Sequence, residues 1–240
     1  DRNSDIALQK IEGRGLPFAE LGNSDDFIIV EWVVAMGNPF GLADVSKQPS
    51  ATAGIVSSVD LDLGREVEGR VYIGMIQTDA SINPGHSGGP LCNADGEVIG
   101  INAFIYTGGG YSEGSIGIGF AIPINRAKEI AEELKLYGKI DRSFATGLRV
   151  QRVDRYLAQT LELPRVTGVI ITDVEVGSSA QEAGLQVGDV IINVNGFSVN
   201  SRRDILSIIE DGDLRSGDSI HISFFRDGLY FEASVKLSDV

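Results

Sequence analysis

The sequence predicts a mostly β protein in two parts, an antiparallel β-barrel followed by a smaller α+β unit. Three observations lead to this prediction. Short runs of β-branched and aromatic residues recur along the first half, and Gly, Asp and Asn turns separate them. The second half alternates such runs with helical patterns. The length of 240 residues is typical of two domains, since compact domains usually contain about 100 to 150 residues.

The first domain is predicted at residues 1–138. Its strands are expected at 5–11, 27–36, 52–59, 71–77, 97–104 and 116–123. A helix should follow Pro123, with Asn125 as its N-cap and Gly138 at its end. Its apolar face is formed by Ala127, Ile130, Ala131 and Leu134. Residues 138–143 are the expected connection to the second domain.

The second domain is predicted at residues 144–240. Its strands are expected at 148–153, 168–174, 189–194, 219–226 and 229–237, and its helices at 155–161, 178–183 and 201–210. Asn195-Gly196 and Asp227-Gly228 are turn pairs typical of tight β-hairpins. Ser201 can cap the last helix, with Asp204 three residues later as its capping-box partner.

Composition excludes several classes of function. Apolar residues make up 42% of the chain and charged residues 22%, which is ordinary for a folded domain with a core. The net charge of −14 argues against nucleic acid as a partner, because phosphate binding needs clustered Lys and Arg. No apolar run is long enough to span a bilayer.

Cysteine and histidine are too few for a metal or disulfide framework. Cys92 is the only cysteine, so no intrachain disulfide can form, and two His with one Cys do not make a zinc site. No metal or cofactor is therefore predicted. No signal peptide is seen, and the chain opens within a β-like pattern, so we expect its start to be a cut end.

The stretch QTDASINPGHSGGP at 77–90 carries the clearest chemical signal. A serine hydroxyl becomes a good nucleophile when a base removes its proton and donors stabilise the resulting oxyanion. Gly85 can adopt backbone angles that turn the N–H groups of Gly85 and Ser87 towards one point. Taken alone, the GxSGG pattern is equally compatible with a tight Gly-Pro turn whose serine bonds locally.

Longer motifs identify the family that this chain resembles. They are SDIAL at 4–8, GNPFGL at 37–42, the stretch 77–91 and GIGFAIP at 117–123, followed by GSSA at 177–180, AGL at 183–185 and GDVI at 188–191 running to Asn195-Gly196. Together they resemble the HtrA (Deg) family of chymotrypsin-like serine endopeptidases with C-terminal PDZ domains. The resemblance covers nearly the whole chain.

The resemblance implies the second chymotrypsin-like barrel with the tail of the first, and then one PDZ domain. It implies Ser87 as the nucleophile, Asp5 as the carboxylate that orients the histidine, and an oxyanion hole at Gly85, His86 and Ser87. The triad histidine is then expected before residue 1. His86 stands where the family usually has Asn, and we expect its side chain to face solvent; His221 is expected on the surface of a PDZ strand.

Substrate preference follows from the same resemblance. Ser81 should lie near the base of the specificity pocket, with Ile82 beside it and Ile118 and Phe120 along the wall. No carboxylate is expected there, so cleavage after Val, Ala or Ile is predicted. For each apolar residue, ordinary barrel core is an equally good interpretation. The run 108–110 with Tyr111 is the expected mobile loop of this pocket.

The PDZ half should capture the C-terminal end of a peptide as an added β-strand. The predicted carboxylate-binding loop is Phe144, Ala145, Thr146, Gly147 and Leu148, and Ile205 is expected to line the groove. The resemblance further implies degradation of misfolded or extended polypeptides, trimer-based assembly and a periplasmic location. The rival hypothesis is a non-catalytic PDZ peptide-binding module or an inactive pseudoprotease, since the chain as given contains no base.

Overall fold

The structure is a computed structural model of the chain. It describes residues 1–65, 69–105, 114–161, 163 and 166–240, except for the side chains of Phe40 and Asp44. The predicted pocket loop at 108–111 lies outside the described residues. The chain divides into two units, Asp1–Ile140 and Asp141–Val240.

The first unit is built on a closed antiparallel barrel. Its elements are β1 (Trp32–Gly37), α1 (Ala43–Ser46), β2 (Ser50–Leu61), β3 (Gly64–Arg65), β4 (Val71–Tyr72), β5 (Met75–Thr78), β6 (Pro90–Cys92), β7 (Val98–Ile105), β8 (Gly119–Pro123) and α2 (Ile124–Tyr137). The barrel order is β1-β2-β5-β8-β7-β6, and β3 pairs with β4 beside it. Its inward side chains, including Val33, Ile76 and Leu91, are fully buried.

Helix α2 covers the barrel through its predicted face. Ala127 and Ile130 are buried against the barrel cluster, and Gly138 closes the helix in a left-handed conformation, as predicted. The predicted N-cap was wrong by two residues, because Pro123 holds that position. The N–H of Asn125 instead donates to the Ser24 hydroxyl, 3.1 Å away.

The predicted strand at 5–11 is wrong. Residues 2–5 form a turn in which Asp5 has a positive φ of 57°, and the first strand begins at Trp32. Ile6 is buried, but Leu8 and Ile11 are 50% and 59% exposed, so the alternating pattern does not face the core. The predicted strand at 71–77 is interrupted at Gly74, whose φ is +62°, and its two parts join different sheets. The short strand β6, which begins three residues after Ser87, was missed.

The second unit is an α+β sheet domain. Its elements are β9 (Leu148–Arg152), α3 (Arg155–Thr160), β10 (Val169–Val174), α4 (Ser179–Glu182), β11 (Val190–Val194), β12 (Phe197–Ser198), α5 (Arg202–Asp211), β13 (Ser219–Arg226) and β14 (Leu229–Lys236). The sheet order is β14-β13-β11-β10-β9, with β12 paired to β11. Ile209 of α5 is buried in the core beside Ile191 and Ile222. The predicted barrel followed by an α+β unit is therefore confirmed.

Candidate functional site

Ser87 lies on a tight turn between β5 and β6. Gly85 has a φ of +102°, and a Cβ atom there would collide with the carbonyl oxygen of Asn38. The Asn38 N–H donates to the Gly85 carbonyl at 2.8 Å, so the turn is fastened to the segment that follows β1. Only glycine satisfies both the angle and the close approach.

The N–H groups of this turn divide into bonded and unbonded sets. The N–H of His86 donates to the Asn83 carbonyl at 2.9 Å, and that of Gly88 to the Asn102 carbonyl at 2.8 Å. Among the described residues, the N–H groups of Gly85 and Ser87 have no hydrogen-bond partner. These two donors remain available for an external oxygen atom, and the N–H of His86 is not available for the predicted oxyanion hole.

The Ser87 hydroxyl is exposed and donates a hydrogen bond to the Ala103 carbonyl on β7, at 2.6 Å. This bond fixes the resting position of Oγ. A base that removes the proton must compete with the Ala103 carbonyl for it. The position is compatible with a nucleophile that is held until a substrate and a base are present.

His86 does not face solvent, and that expectation was wrong. Its side chain is 1% exposed and packs against Gly37, where an added Cβ would come within 2.5 Å of the His86 Cα and 3.1 Å of Cγ. Nδ1 lies 3.3 Å from both the N and the O of Asn83, while Nε2 has no partner among the described residues. His86 therefore stabilises the turn from inside.

Asp5 is held by two donors, although it lies in a loop. The Tyr72 hydroxyl donates to Oδ2 at 2.9 Å, and Arg70 Nε lies 3.2 Å from Oδ1. Burial of Tyr72 and its hydrogen bond to Asp5 raise the pKa of Tyr72 to about 12, so it remains a donor at neutral pH. Sequence reasoning missed both partners, since nothing in the spacing of residues 5, 70 and 72 points to contact.

Asn102 is a second residue that the sequence reasoning missed. It is completely buried on β7, and its amide nitrogen donates to the carbonyls of Met36 and Pro90, at 3.2 and 3.1 Å. These bonds join β7 to β1 and to β6, the strand that follows the Ser87 turn. The sequence contained one signal for this role. Asn102 is a polar residue inside the apolar run VIGINAFI, and a buried amide is usually hydrogen-bonded.

The four predicted pocket residues have different environments. Ile82 and Phe120 are only 1% and 6% exposed and pack in the barrel core, which is the second of the two interpretations that the sequence left open. Ser81 is exposed, and its carbonyl accepts a bond of 2.9 Å from the Thr52 hydroxyl. Ile118 is partly buried beside Phe120. Only Ser81 and Ile118 retain accessible surface for a ligand.

The second unit contains a groove of about 790 Å³ between β9 and α5. Its lining includes all six predicted residues, Phe144, Ala145, Thr146, Gly147, Leu148 and Ile205. The outer edge of β9 pairs with no other strand in the described part of the chain. In the described part of the chain, the N–H groups of Thr146 and Gly147 also have no hydrogen-bond partner.

The described part of the chain contains neither a metal-binding cluster nor a membrane-spanning helix. Within the described ranges, no three His, Cys, Asp or Glu side chains are grouped so that they could hold a metal ion. None of the described helices is both long and apolar enough to cross a bilayer.

Comparison with known proteins assigns both units. Residues 1–101 match the family model of the trypsin-like peptidase domain, and residues 145–237 match that of the PDZ domain.

A curated relative from Ectopseudomonas mendocina (strain ymp), named "Probable periplasmic serine endoprotease DegP-like", is 42% identical over 95% of this chain and 45% of its own length. One of the same name from Chlamydia muridarum (strain MoPn / Nigg) is 40% identical over 100% of this chain and 46% of its own. The chain thus spans less than half the length of these relatives.

Solved structures show the same likeness. The HtrA-type protease AlgW with a decapeptide is 33% identical and matches with a TM-score of 0.62 over 99% of this chain and 69% of its own. A serine endoprotease from Yersinia pestis is 30% identical and matches with a TM-score of 0.52, over 96% of this chain and 70% of its own.

Proposed function

Because this chain belongs to the HtrA family of serine proteases, we propose that it carries the nucleophile and one peptide-binding groove of a serine endopeptidase. The observation that carries this proposal is the turn at Ser87. An exposed hydroxyl lies beside two N–H groups, of Gly85 and Ser87, that have no partner among the described residues. Such a pair of donors can stabilise an oxyanion formed by attack of the hydroxyl.

The proposed reaction is acyl transfer to Ser87. A base removes the Ser87 proton as Oγ leaves the Ala103 carbonyl and bonds to the carbonyl carbon of the substrate. The negative oxygen of the tetrahedral intermediate accepts hydrogen bonds from Gly85 and Ser87. The intermediate collapses when the base gives its proton to the leaving amine, and water then hydrolyses the acyl-enzyme by the same steps.

The base is proposed to be a histidine outside these 240 residues. His86 and His221 are the only histidines present. The ring of His86 is buried with Nδ1 near Asn83, and it lies inside the turn, whereas His221 belongs to β13 of the second unit. Asp5 would orient the missing imidazole and stabilise its protonated form.

The groove between β9 and α5 is proposed to bind peptide C-termini. A peptide added to the free edge of β9 gains main-chain hydrogen bonds, and the unpaired N–H groups of Thr146 and Gly147 can receive its carboxylate. The similarity of this chain to the HtrA-type protease AlgW with a decapeptide supports a peptide as the ligand.

The substrates are proposed to be misfolded or extended polypeptides, cleaved after Val, Ala or Ile. Ser81 and Ile118 are the accessible members of the predicted pocket, and neither carries a charge that would select Lys or Arg. A periplasmic location is proposed from the names of the curated relatives, and a trimer-based assembly from family membership.

The test is cleavage of unfolded casein by the full-length protein. We expect cleavage by the wild type, none above background by Ser87→Ala, and none by residues 1–240 alone because they lack the base. If the full-length protein binds peptides in its groove but cleaves nothing with any activating peptide, the alternative of a non-catalytic binding module replaces the endopeptidase.

A further inference from the structure

Tyr72 makes a specific contact that barrel packing does not require. It is only 5% exposed, yet its hydroxyl reaches Asp5 Oδ2 at 2.9 Å, and Arg70 Nε lies 3.2 Å from the other oxygen. Both oxygens of a partly exposed carboxylate are thus held from one short segment around β4. A carboxylate held at both oxygens has a defined plane, which leaves its remaining lone pairs in fixed directions.

The ring of Tyr72 is itself held in place. It packs on Phe104 with a centroid distance of 4.7 Å, and Phe104 packs on Phe120 at 5.1 Å. On the main chain, the Val71 N–H donates to the Asn3 carbonyl at 2.7 Å, which fastens the Asp5 turn to β4. The hydroxyl therefore has little freedom relative to Asp5.

The same aromatic row leads towards Ser87. Phe104 follows Ala103 on β7, and the Ala103 carbonyl is the acceptor of the Ser87 hydroxyl. Tyr72, which holds Asp5, therefore packs on the strand that also carries the hydrogen-bond acceptor of Ser87.

We propose that Tyr72 is a positioning residue for catalysis, whose hydroxyl fixes the Asp5 carboxylate in the orientation needed to hold the base. This inference rests on the proposed function, in which Asp5 orients an imidazole. Burial and Asp5 together raise the pKa of Tyr72 to about 12, so the hydroxyl keeps its proton across the working range of a serine protease. Phenylalanine would keep the packing and remove only the donor.

The experiment uses the full-length protein and a peptide substrate. We expect Tyr72→Phe to lower kcat by about 10- to 100-fold with KM nearly unchanged, because a misplaced catalytic group can cost on the order of 100-fold. Tyr137→Phe on α2 is the matched control, since that side chain is 72% exposed. It should match the wild type.

A double-mutant cycle separates positioning from general stability. The labelling rate of Ser87 by a fluorophosphonate would be measured for Tyr72→Phe, Asp5→Asn and the double variant. If Tyr72 acts through Asp5, adding Tyr72→Phe to Asp5→Asn should change the rate less than twofold.

Each outcome decides the matter. Equal kcat for Tyr72→Phe and the wild type, or additive effects in the cycle, would overturn the inference while leaving the proposed function intact. A wild-type protein that neither cleaves peptides nor reacts with the probe would refute the proposed function, and the inference with it.

Discussion

Replacing Gly85 with alanine tests whether the turn at Ser87 depends on glycine. Alanine at a φ of +102° adds backbone strain of about 1 to 2 kcal/mol. Its Cβ would also overlap the Asn38 carbonyl oxygen and lie 2.8 Å from the Pro39 Cα. These are backbone atoms, so the segment after β1 must move, which adds about 1 to 3 kcal/mol by analogy with overpacked cores.

The chain offers a matched control for this substitution. Gly96 lies in the turn between β6 and β7 with a φ of +84°, and nothing lies within 4 Å of a Cβ added there. Gly96→Ala should therefore show the strain alone, a decrease in Tm of about 3 to 6 °C. Gly85→Ala should lower Tm by about 6 to 15 °C and slow fluorophosphonate labelling of Ser87 on the order of 100-fold. Equal Tm and equal labelling for the two variants would refute the reasoning.

Three further predictions concern the second unit. Asp189 is buried, and its carboxylate accepts hydrogen bonds from Nε and Nη2 of Arg226, at 2.5 and 2.6 Å. Asp189→Asn should therefore lower the free energy of unfolding in urea by about 3 kcal/mol. Asp173→Asn, whose pair with Arg149 is exposed, should lower it by less than about 0.5 kcal/mol, and similar losses for the two variants would contradict this. Burial alone would raise the pKa of Asp213, but the hydrogen bonds and charges of Arg142 and Arg215 outweigh it and lower that pKa. The wild type should therefore be more stable than Asp213→Asn above about pH 4, and this difference should vanish as the pH falls through the lowered pKa of Asp213 in the folded state. A difference in stability that stays constant with pH down to acid unfolding would be inconsistent with this prediction. Ile205→Glu should weaken binding of a decapeptide ending in valine at least about tenfold by calorimetry, because a charge replaces an apolar side chain that lines the groove. Arg203→Glu on the same helix should leave binding unchanged, and equal effects of the two variants would place the peptide elsewhere.

Local signals in the sequence predicted local structure well. Ser201 caps α5 as expected, and its side chain accepts the N–H of Asp204. Asn195 and Gly196 both have positive φ in the turn between β11 and β12. Helix caps and tight turns depend on a few adjacent residues, so their geometry can be predicted from a short stretch of sequence.

Long-range contacts explain what the sequence did not predict. His86 is buried because Gly37, 49 positions earlier, leaves room for its ring. Asp5 meets Tyr72 across 67 positions, and no pattern within either segment indicates that pairing. The strand expected at 5–11 failed for the same reason, since alternation shows which faces could be buried and does not provide a partner strand.

The sequence indicated the position of the Ser87 turn but not the packing around it. The motif at 77–90 located the Ser87 turn, because glycine at Gly85 has few structural alternatives. For Ile82 and Phe120 the sequence left both a pocket and the barrel core open, and the structure places both side chains in the core. The supporting contacts of Asn102 and Tyr72 required the structure.

The most direct test of the account is the site of reaction with a fluorophosphonate in the full-length protein. Intact mass and peptide mapping should show one phosphonyl group on Ser87 in the wild type and none in Ser87→Ala. Labelling of another serine, or no labelling of the wild type, would contradict the claim that the turn at Ser87 is a catalytic centre.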